Sequence, residues 1–416
     1  MRKVIVIGGG AAGLMAAGRA AERGADVLLI EKNRTVGRKL QISGKGRCNL
    51  ANDTEINDLL AHVPTNPKFL RSALHNFGPK DTQTFFTNLG MKLKVERGNR
   101  VFPVSDNAEE VVDALRKYCI NAGVEVNAGV TVRRISFGGG KVSGIDMEGG
   151  AFLSADAVIL ATGGASYPIT GSTGDGYRMA EELGHTIAPI HAGLVPIVTE
   201  ESWPTEAQGL SLRNVKLTTL SPEGKKLRSE IGEMLFTHYG VTGPLVLTAS
   251  SLIADKPGSK LVIDLKPGLD EAKLDDRLQR DFLENAKRHF GNALGALLPT
   301  SIIPVIVTLS RIGPHAPVSQ ITREQRLALV QLLKHLTLTV KETRPLNEAI
   351  VTAGGVNVSE INSTTMESKI IHGLYFAGEV IDVDAFTGGF NLQIAWSTGH
   401  LAGESAAVSD TTVASW

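Results

Sequence analysis

The sequence predicts an α/β fold built on a parallel sheet, and three stretches far apart in the chain carry the prediction. The first, KVIVIGGGAAGLMAAGRAAERGADVLLIEK at residues 3–32, runs from an apolar strand through a glycine turn and an alanine-rich helix to a second apolar strand. The second, ADAVILATGG at 155–164, is a buried-strand pattern entering a Thr-Gly-Gly turn. The third, GLYFAGEVIDVDAFTGGFNLQIAWSTG at 373–399, is a short apolar strand, an acid at a turn, and a glycine pair opening a helix. Strands joined through helices pair in parallel, because each connection must cross back over the sheet.

In the first stretch, residues 4–7 and 27–30 read as the strands, and Gly24 suits the position just past the helix. The turn is Gly8-x-Gly10-x-x-Gly13. Gly8 permits the tight turn, Gly10 lets backbone approach a pyrophosphate, and Gly13 lets helix and strand pack closely. The amides at the helix start, from Ala11, Ala12 and Gly13, then face phosphate, aided by the helix dipole. Glu31 closes the second strand, where an acid binds a ribose hydroxyl pair, and Lys32 follows it. An acid there disfavours a 2′-phosphate, so the site does not read as one for NADP.

The third stretch separates FAD from NAD. Glu379 can bind ribitol hydroxyls, and the helix after Gly389 can stabilise negative charge on the reduced flavin ring. This segment resembles the second FAD motif of the glutathione reductase–fumarate reductase superfamily, and residues 155–164 are similar to its middle strand and turn. The expected cofactor set therefore adds Val132, Thr162, Gly163, Gly378, Glu379, Asp382, Gly389, Asn391 and Leu392. No second glycine fingerprint has strand context, so NAD(P)H is expected only as an external reductant.

Length and composition bound the rest. At 416 residues the chain exceeds one ordinary core. There is no apolar run long enough for a membrane span and no export-signal pattern, which predicts a cytoplasmic protein. Two cysteines make neither a disulfide framework nor a metal-ligand pattern, so no metal site is expected. Net charge is zero, which argues against nonspecific nucleic-acid binding by the whole surface, yet residues 1–50 carry a net +7.

Much of that charge lies in GRKLQISGKGRCN at 37–49. Together with RVFP (100–103), ATGGASYPITGSTGDGY (161–177), GLVPI (193–197), LFTHYGVTGP (235–244), TAGGV (352–356) and LYFAGEV (374–380), it makes the chain resemble the YhiN/BaiN-like, aminoacetone oxidase-type flavoproteins over nearly its whole length. One departure is Phe390, where members often carry tyrosine. The resemblance implies a Rossmann-like FAD-binding domain of glutathione reductase/fumarate reductase type, interrupted by an inserted β-barrel-like domain with a small helical part. The expected boundaries are 1–190 with 345–416 for the FAD domain and 191–344 for a substrate or cap insertion, helical over about 270–340. Arg38 and Lys39 are expected beside the adenosine and pyrophosphate. Residues 43–49 would run beneath the flavin ring, with Lys45 and Arg47 either reaching the substrate cavity or merely stabilising the loop.

Within the insertion, GLVPIVT, VKLTTLSPEGKKL, LVLTASSLI and KLVIDLKP all read as strands. Residues 107–122 read as an amphipathic helix with Cys119 on its buried side, and 124–160 as a small meander turning at glycines 138–140. His238, flanked by glycines, is the candidate general acid or anchor, with a turn-tying role as the alternative. Cys48 adjoins Arg47, a neighbour that lowers a thiol's pKa, so a catalytic thiol is the alternative to a packing role, which one loop cysteine more commonly has. His185 and His191 read as structural, and Tyr167 and Asp175 as either cofactor-lining or helix-capping.

The expected activity is non-covalent FAD oxidoreduction. Substrate candidates are a uridine of 23S ribosomal RNA reduced to dihydrouridine, a small amine oxidised with oxygen, or an enone reduced. A protein that binds RNA or the ribosome and carries a structural flavin is the alternative.

Overall fold

Five parallel strands form the main sheet of the computed structural model, which describes residues 1–253 and 256–408. They are β1 (Lys3–Ile7), β2 (Asp26–Glu31), β3 (Glu125–Ala128), β4 (Ala157–Leu160) and β5 (Leu374–Phe376), in the order β5-β4-β1-β2-β3. Val4 lies opposite Ala157 on one side and Val27 on the other. Every residue of β4 and β5 is buried, the near-continuous apolar pattern of strands covered on both faces.

The longest helices accompanying this sheet are α1 (Ala11–Glu22), α2 (Ala108–Asn121) and α3 (Phe390–Ala407). Small residues let α1 and α3 meet backbone to backbone. A Cβ on Gly399 or Gly403 would come within 2.5 and 2.3 Å of the Ala12 and Ala16 carbonyl oxygens. The same α3 buries Trp396, whose indole N–H donates to the Leu50 carbonyl at 2.9 Å. Asn107 caps α2 by accepting from the Glu109 amide. The expected meander is a hairpin of 132–138 against 141–147, turning through Gly139 and Gly140 at φ 60° and 75°, with 152–154 as its third strand.

The chain divides into two compact units, Met1–Gly193 with the residues from Ala349 onward, and Leu194–Glu348. In the second unit six antiparallel strands close a barrel. Their order is Ile197–Thr199, Gly240–Thr242, Lys226–Phe236, Ser211–Leu220, Lys260–Asp264 and Leu336–Thr343, and the last pairs with the first. Closure leaves no open sheet edge. Helices Glu271–Glu284, Ile303–Ser310 and Arg323–Lys334 supply the helical part.

Two elements differ from the sequence reading. LVLTASSLI is not a strand but the body of helix Pro244–Ile253. A short apolar run has no periodicity to separate the two states, and Pro244 presets the first helical turn. Ser250 and Thr248, both buried, are tolerated because the Ser250 hydroxyl donates to the Leu247 carbonyl and accepts from the Val195 amide. The stretch expected to be helical to 340 instead ends in the barrel strand Leu336–Thr343, whose alternating burial is the period-two pattern of a strand. Among the described residues no helix is long and apolar enough to cross a membrane.

Candidate functional site

The glycine turn is held by close approach. Gly8 has φ 106°, its amide donates to the Ile30 carbonyl at 2.8 Å, and a Cβ on it would lie 2.5 Å from the Ala161 oxygen. A Cβ on Gly13 would lie 1.8 Å from the Gly8 oxygen. Gly10 is the exception: a Cβ there meets nothing within 4 Å, so open space stands over the start of α1. The first intrahelical bond runs from the Leu14 amide to the Gly10 carbonyl, which leaves the amides of Ala11, Ala12 and Gly13 at the helix start without an i−4 partner. No side chain caps them.

Glu31 ends β2 with a buried carboxylate. One oxygen accepts from the Gly9 amide at 2.7 Å, and the other from the Asn33 amide at 2.8 Å and the Asn33 carboxamide at 2.6 Å. Arg38 reaches this group indirectly, donating to Asn33 Oδ1 at 2.9 Å. The amides of Gly129 and Val130 donate to the Glu31 carbonyl, which brings the segment before Val132 alongside; Val132 itself is buried. Lys32 points elsewhere, pairing with Asp175 at 2.5 Å.

Lys39 and Glu379, 340 residues apart, form an ion pair. Lys39 Nζ donates to both Glu379 oxygens at 2.6 and 2.9 Å and to Ser166 Oγ at 2.7 Å. The Thr352 amide donates to Glu379 Oε1 at 2.8 Å, and Thr352 Oγ1 accepts from the amides of Ala165 and Ser166. Burial alone would raise the Glu379 carboxyl. The charge and hydrogen bond of Lys39, with the Thr352 amide and the Ser166 hydroxyl, more than offset it and hold the group below the usual carboxylate range. Gly378 turns this corner at φ 75°. On the neighbouring turn, Gly163 has φ 73° and Thr162 Oγ1 is buried without a hydrogen-bond partner among the described residues.

Gly389, at φ 96°, opens α3 with no side-chain cap and no acid in the first turn. Its amide donates to the Asn49 carboxamide oxygen at 3.0 Å, once that amide is oriented with its nitrogen toward the Ala51 and Val101 carbonyls. The Gln393 amide makes the first intrahelical bond, to the Gly389 carbonyl, so those of Phe390, Asn391 and Leu392 precede it. The Asn391 side chain braces the preceding loop: it accepts from the Ala385 amide at 2.9 Å and donates to the Ala385 carbonyl at 2.7 Å. Asp382 accepts from the Asn66 carboxamide at 3.0 Å. Asp384 is 2% exposed, and its Oδ1 has no partner among the described residues. Burial raises both carboxyls, and Asp382 adds to the rise at Asp384, against a hydrogen bond from Thr65. His62 stacks on Phe390 with centroids 4.5 Å apart, and its Nδ1 lies 2.8 Å from the Asp58 carbonyl. A carbonyl only accepts, so Nδ1 carries the hydrogen and Nε2 is the free nitrogen.

The second half of the basic loop has a different character. Arg47 is matched by two carboxylates, Glu96 and Asp106, and lies over the Phe102 ring at 4.1 Å. Cys48 is fully buried at φ 57°, and burial pushes its thiol up to about 12 against a weaker opposing hydrogen bond from Ser43. The expected effect of Arg47 on this thiol is therefore overridden by desolvation. Lys45 is exposed at φ 61° and has no side-chain partner among the described residues. In the barrel unit, His238 is exposed at the tip of a turn closed by the Thr237 amide and the Gly240 carbonyl, its ring 4.7 Å from that of Tyr239.

The structure thus brings Lys39 to Glu379 and Arg38 toward Glu31, and engages Arg47 with Glu96 and Asp106. Sequence reading passed over Asn33, His62, Asn66, Ser166, Thr352 and Asp384. Ser166, Thr352 and Asp384 lay in stretches already singled out, and none of the six has a local pattern announcing its partners. Two uncapped helix starts, open space at Gly10 and an orphaned hydroxyl at Thr162 suit an elongated, anionic dinucleotide. Among the described residues no group of three or more His, Cys, Asp or Glu is arranged to hold a metal ion.

The HI0933-like protein Rossmann domain family matches residues 2–405. A 3-dehydro-bile acid delta(4,6)-reductase of Clostridium scindens is 33% identical over 413 residues, covering 98% of this chain and 99% of that protein. A ribosomal RNA dihydrouridine synthase of Escherichia coli is 32% identical over 395 residues, 95% of each chain. Among solved structures, the open conformation of a flavocytochrome c3 fumarate reductase superposes with a TM-score of 0.50 at 20% identity, over 98% of this chain and 78% of that one, a likeness of fold. The chain belongs to the HI0933-like Rossmann family and is an FAD-dependent oxidoreductase.

Proposed function

We propose that this protein uses non-covalent FAD to reduce a carbon–carbon double bond conjugated to a carbonyl, with a uridine of ribosomal RNA as the favoured substrate. One observation carries the reading. Two relatives of nearly equal identity over nearly the whole chain are named for different substrates, a 3-dehydro bile acid and ribosomal RNA. Both names describe one reaction, since dihydrouridine is uridine with its ring double bond saturated, next to a carbonyl, as in a Δ4,6-unsaturated 3-oxo steroid. Bound FAD supplies the hydride chemistry.

The chain's own residues take the remaining roles in this reading. The turn at Gly8, Gly10 and Gly13, with the amides of Ala11 and Ala12, holds the pyrophosphate, and Thr162 and Gly163 border it. Glu31 binds the adenosine ribose, Arg38 steadies it through Asn33, and the segment leading to Val132 lines the adenine. Lys39 orients Glu379 toward the ribitol, at the corner made by Gly378. The α3 start, from Gly389 through Asn391 and Leu392, faces the electron-rich end of the flavin ring, and Asp382 with Asn66 holds the loop before it. Lys45, the cation of the 37–49 loop without a side-chain partner among the described residues, is assigned to the substrate, whereas Arg47 and Cys48 are assigned to holding that loop. His238 keeps its assignment as the candidate general acid or anchor of the barrel unit. NAD(P)H is the external reductant, since the chain has one glycine fingerprint and the flavin takes it.

The test is anaerobic. NAD(P)H should bleach the bound flavin, and uridine-containing ribosomal RNA or a cyclic enone should restore its colour with a saturated product detectable by mass. Reduction of the flavin by an amine instead, or colour restored by neither acceptor, refutes the reading.

A further inference from the structure

We propose that the exposed face built from Lys287, Arg288, His289, Arg311 and His315 binds the phosphate backbone of RNA, an inference that rests on the uridine reading above. The stretch 285–323 contains no Asp or Glu, while it contains Lys287, Arg288, Arg311 and Arg323 and two histidines. The fold brings the two ends of this stretch together. The Phe290 amide donates to the Ala316 carbonyl at 2.9 Å, Gly291 to Pro314 at 3.0 Å, and Val318 to Arg288 at 3.0 Å. The His289 and His315 rings stand edge to face at 5.6 Å. Arg311 follows helix Ile303–Ser310 at φ 57°.

The face is fixed from beneath, since Phe290, Leu294, Ile312 and Val318 are all buried in the core of this unit. All five side chains on it are exposed. The side chains of Lys287, Arg288 and Arg311 have no ion-pair or hydrogen-bond partner among the described residues. Three cations of the same unit are instead matched: Arg326 pairs with Asp275, Arg277 with Asp281 and Lys334 with Asp264, at 2.6 to 2.8 Å. The loop at 37–49, where sequence density pointed, has Lys39 and Arg47 taken up by carboxylates. This acid-free face therefore carries unmatched positive charge among the described residues. Arginine forks suit phosphate oxygens, and exposed imidazole rings give unstacked bases a surface. An acidic peptide would use the charges but not the rings.

The experiment uses the FAD-loaded full chain and a fluorescently labelled single-stranded RNA, with affinity measured across a salt series. Lys287→Gln/Arg288→Gln/Arg311→Gln should lower the slope of log affinity against log salt by about 2, at about 0.7 per phosphate contact on a single strand. That corresponds to a loss on the order of a hundredfold at 0.1 M salt. Flavin per protein and bleaching by NAD(P)H report that the variant is folded. Lys225→Gln/Lys226→Gln, exposed in the barrel hairpin away from this stretch, should leave the slope unchanged. The proposal is overturned if the triple variant keeps the wild-type slope, if the control lowers it equally, or if the wild type holds polyglutamate as tightly as RNA. Enone reduction is measured in parallel: its persistence alongside any of those results means that the face was wrong and the reaction right. Its absence alongside a lowered slope means the reverse.

Discussion

Replacing Glu31 separates two functions of one carboxylate. Its oxygens accept from the Gly9 amide, the Asn33 amide and the Asn33 carboxamide, so it braces the glycine turn before any ligand arrives. In Glu31→Ala the Gly9 amide loses its acceptor in a buried setting, at about 1–3 kcal/mol, and the half-buried Asn33 amide loses its own at a smaller cost. The apoprotein should therefore lose about 1–4 kcal/mol of stability. The ribose hydroxyls lose a charged acceptor as well, about 1.5–3 kcal/mol, or roughly ten- to hundredfold in FAD affinity. Glu31→Gln keeps one acceptor oxygen and should recover part of the stability but little of the affinity. Glu22→Ala, which removes an ion pair with Arg19 at the end of α1, is the control. The assays are flavin absorbance per protein, FAD titration of the apoprotein by fluorescence quenching, and denaturant unfolding of the apoprotein. Equal FAD occupancy in Glu31→Ala and Glu22→Ala would refute the ribose assignment. Lost affinity with unchanged apoprotein stability would refute the bracing role.

Lys39→Met should remove a pH dependence. The Glu379 carboxyl lies below its unfolded value, so its stabilising contribution is present above the ordinary carboxylate range and is lost as pH falls through the folded value; without Lys39 that acid-side loss should shrink in pH-dependent thermal unfolding. Asp384 has the opposite sign, because burial raises it and the native state resists ionisation as pH climbs above the unfolded value. Asp384→Asn should therefore match or exceed wild-type stability at neutral pH and lose that advantage in acid, a comparison that a wild-type excess at neutral pH would defeat. The Cys48 thiol should resist an aromatic disulfide reagent in the native state and react only at the rate of opening, since it is buried with its thiol raised to about 12; immediate stoichiometric labelling at that residue contradicts the packing role.

What could be read from the sequence was what is local. The strand, turn and helix at 3–32 follow from apolar runs and glycines within one βαβ unit, and the hairpin at Gly139 and Gly140 from its turn residues. The run LVLTASSLI was misread because nine small and apolar residues lack the period that distinguishes a strand from a buried helix. Partners were harder still. Nothing near Lys39 indicates that its counter-ion is Glu379, or that Thr352 donates to the same carboxylate, because those pairs exist only once β4, β5 and the loops between them have assembled. The same reasoning decides which cations remain available to an anionic partner. The dense cluster at 34–47 is partly neutralised by Glu96, Asp106 and Glu379, each far away in the chain, whereas the sparse cations of 285–323 form no ion pair with an acid among the described residues. Long-range attraction of a polyanion depends on charge left unmatched at the surface. A sequence displays the first half of that quantity, the cations, and the fold decides the second.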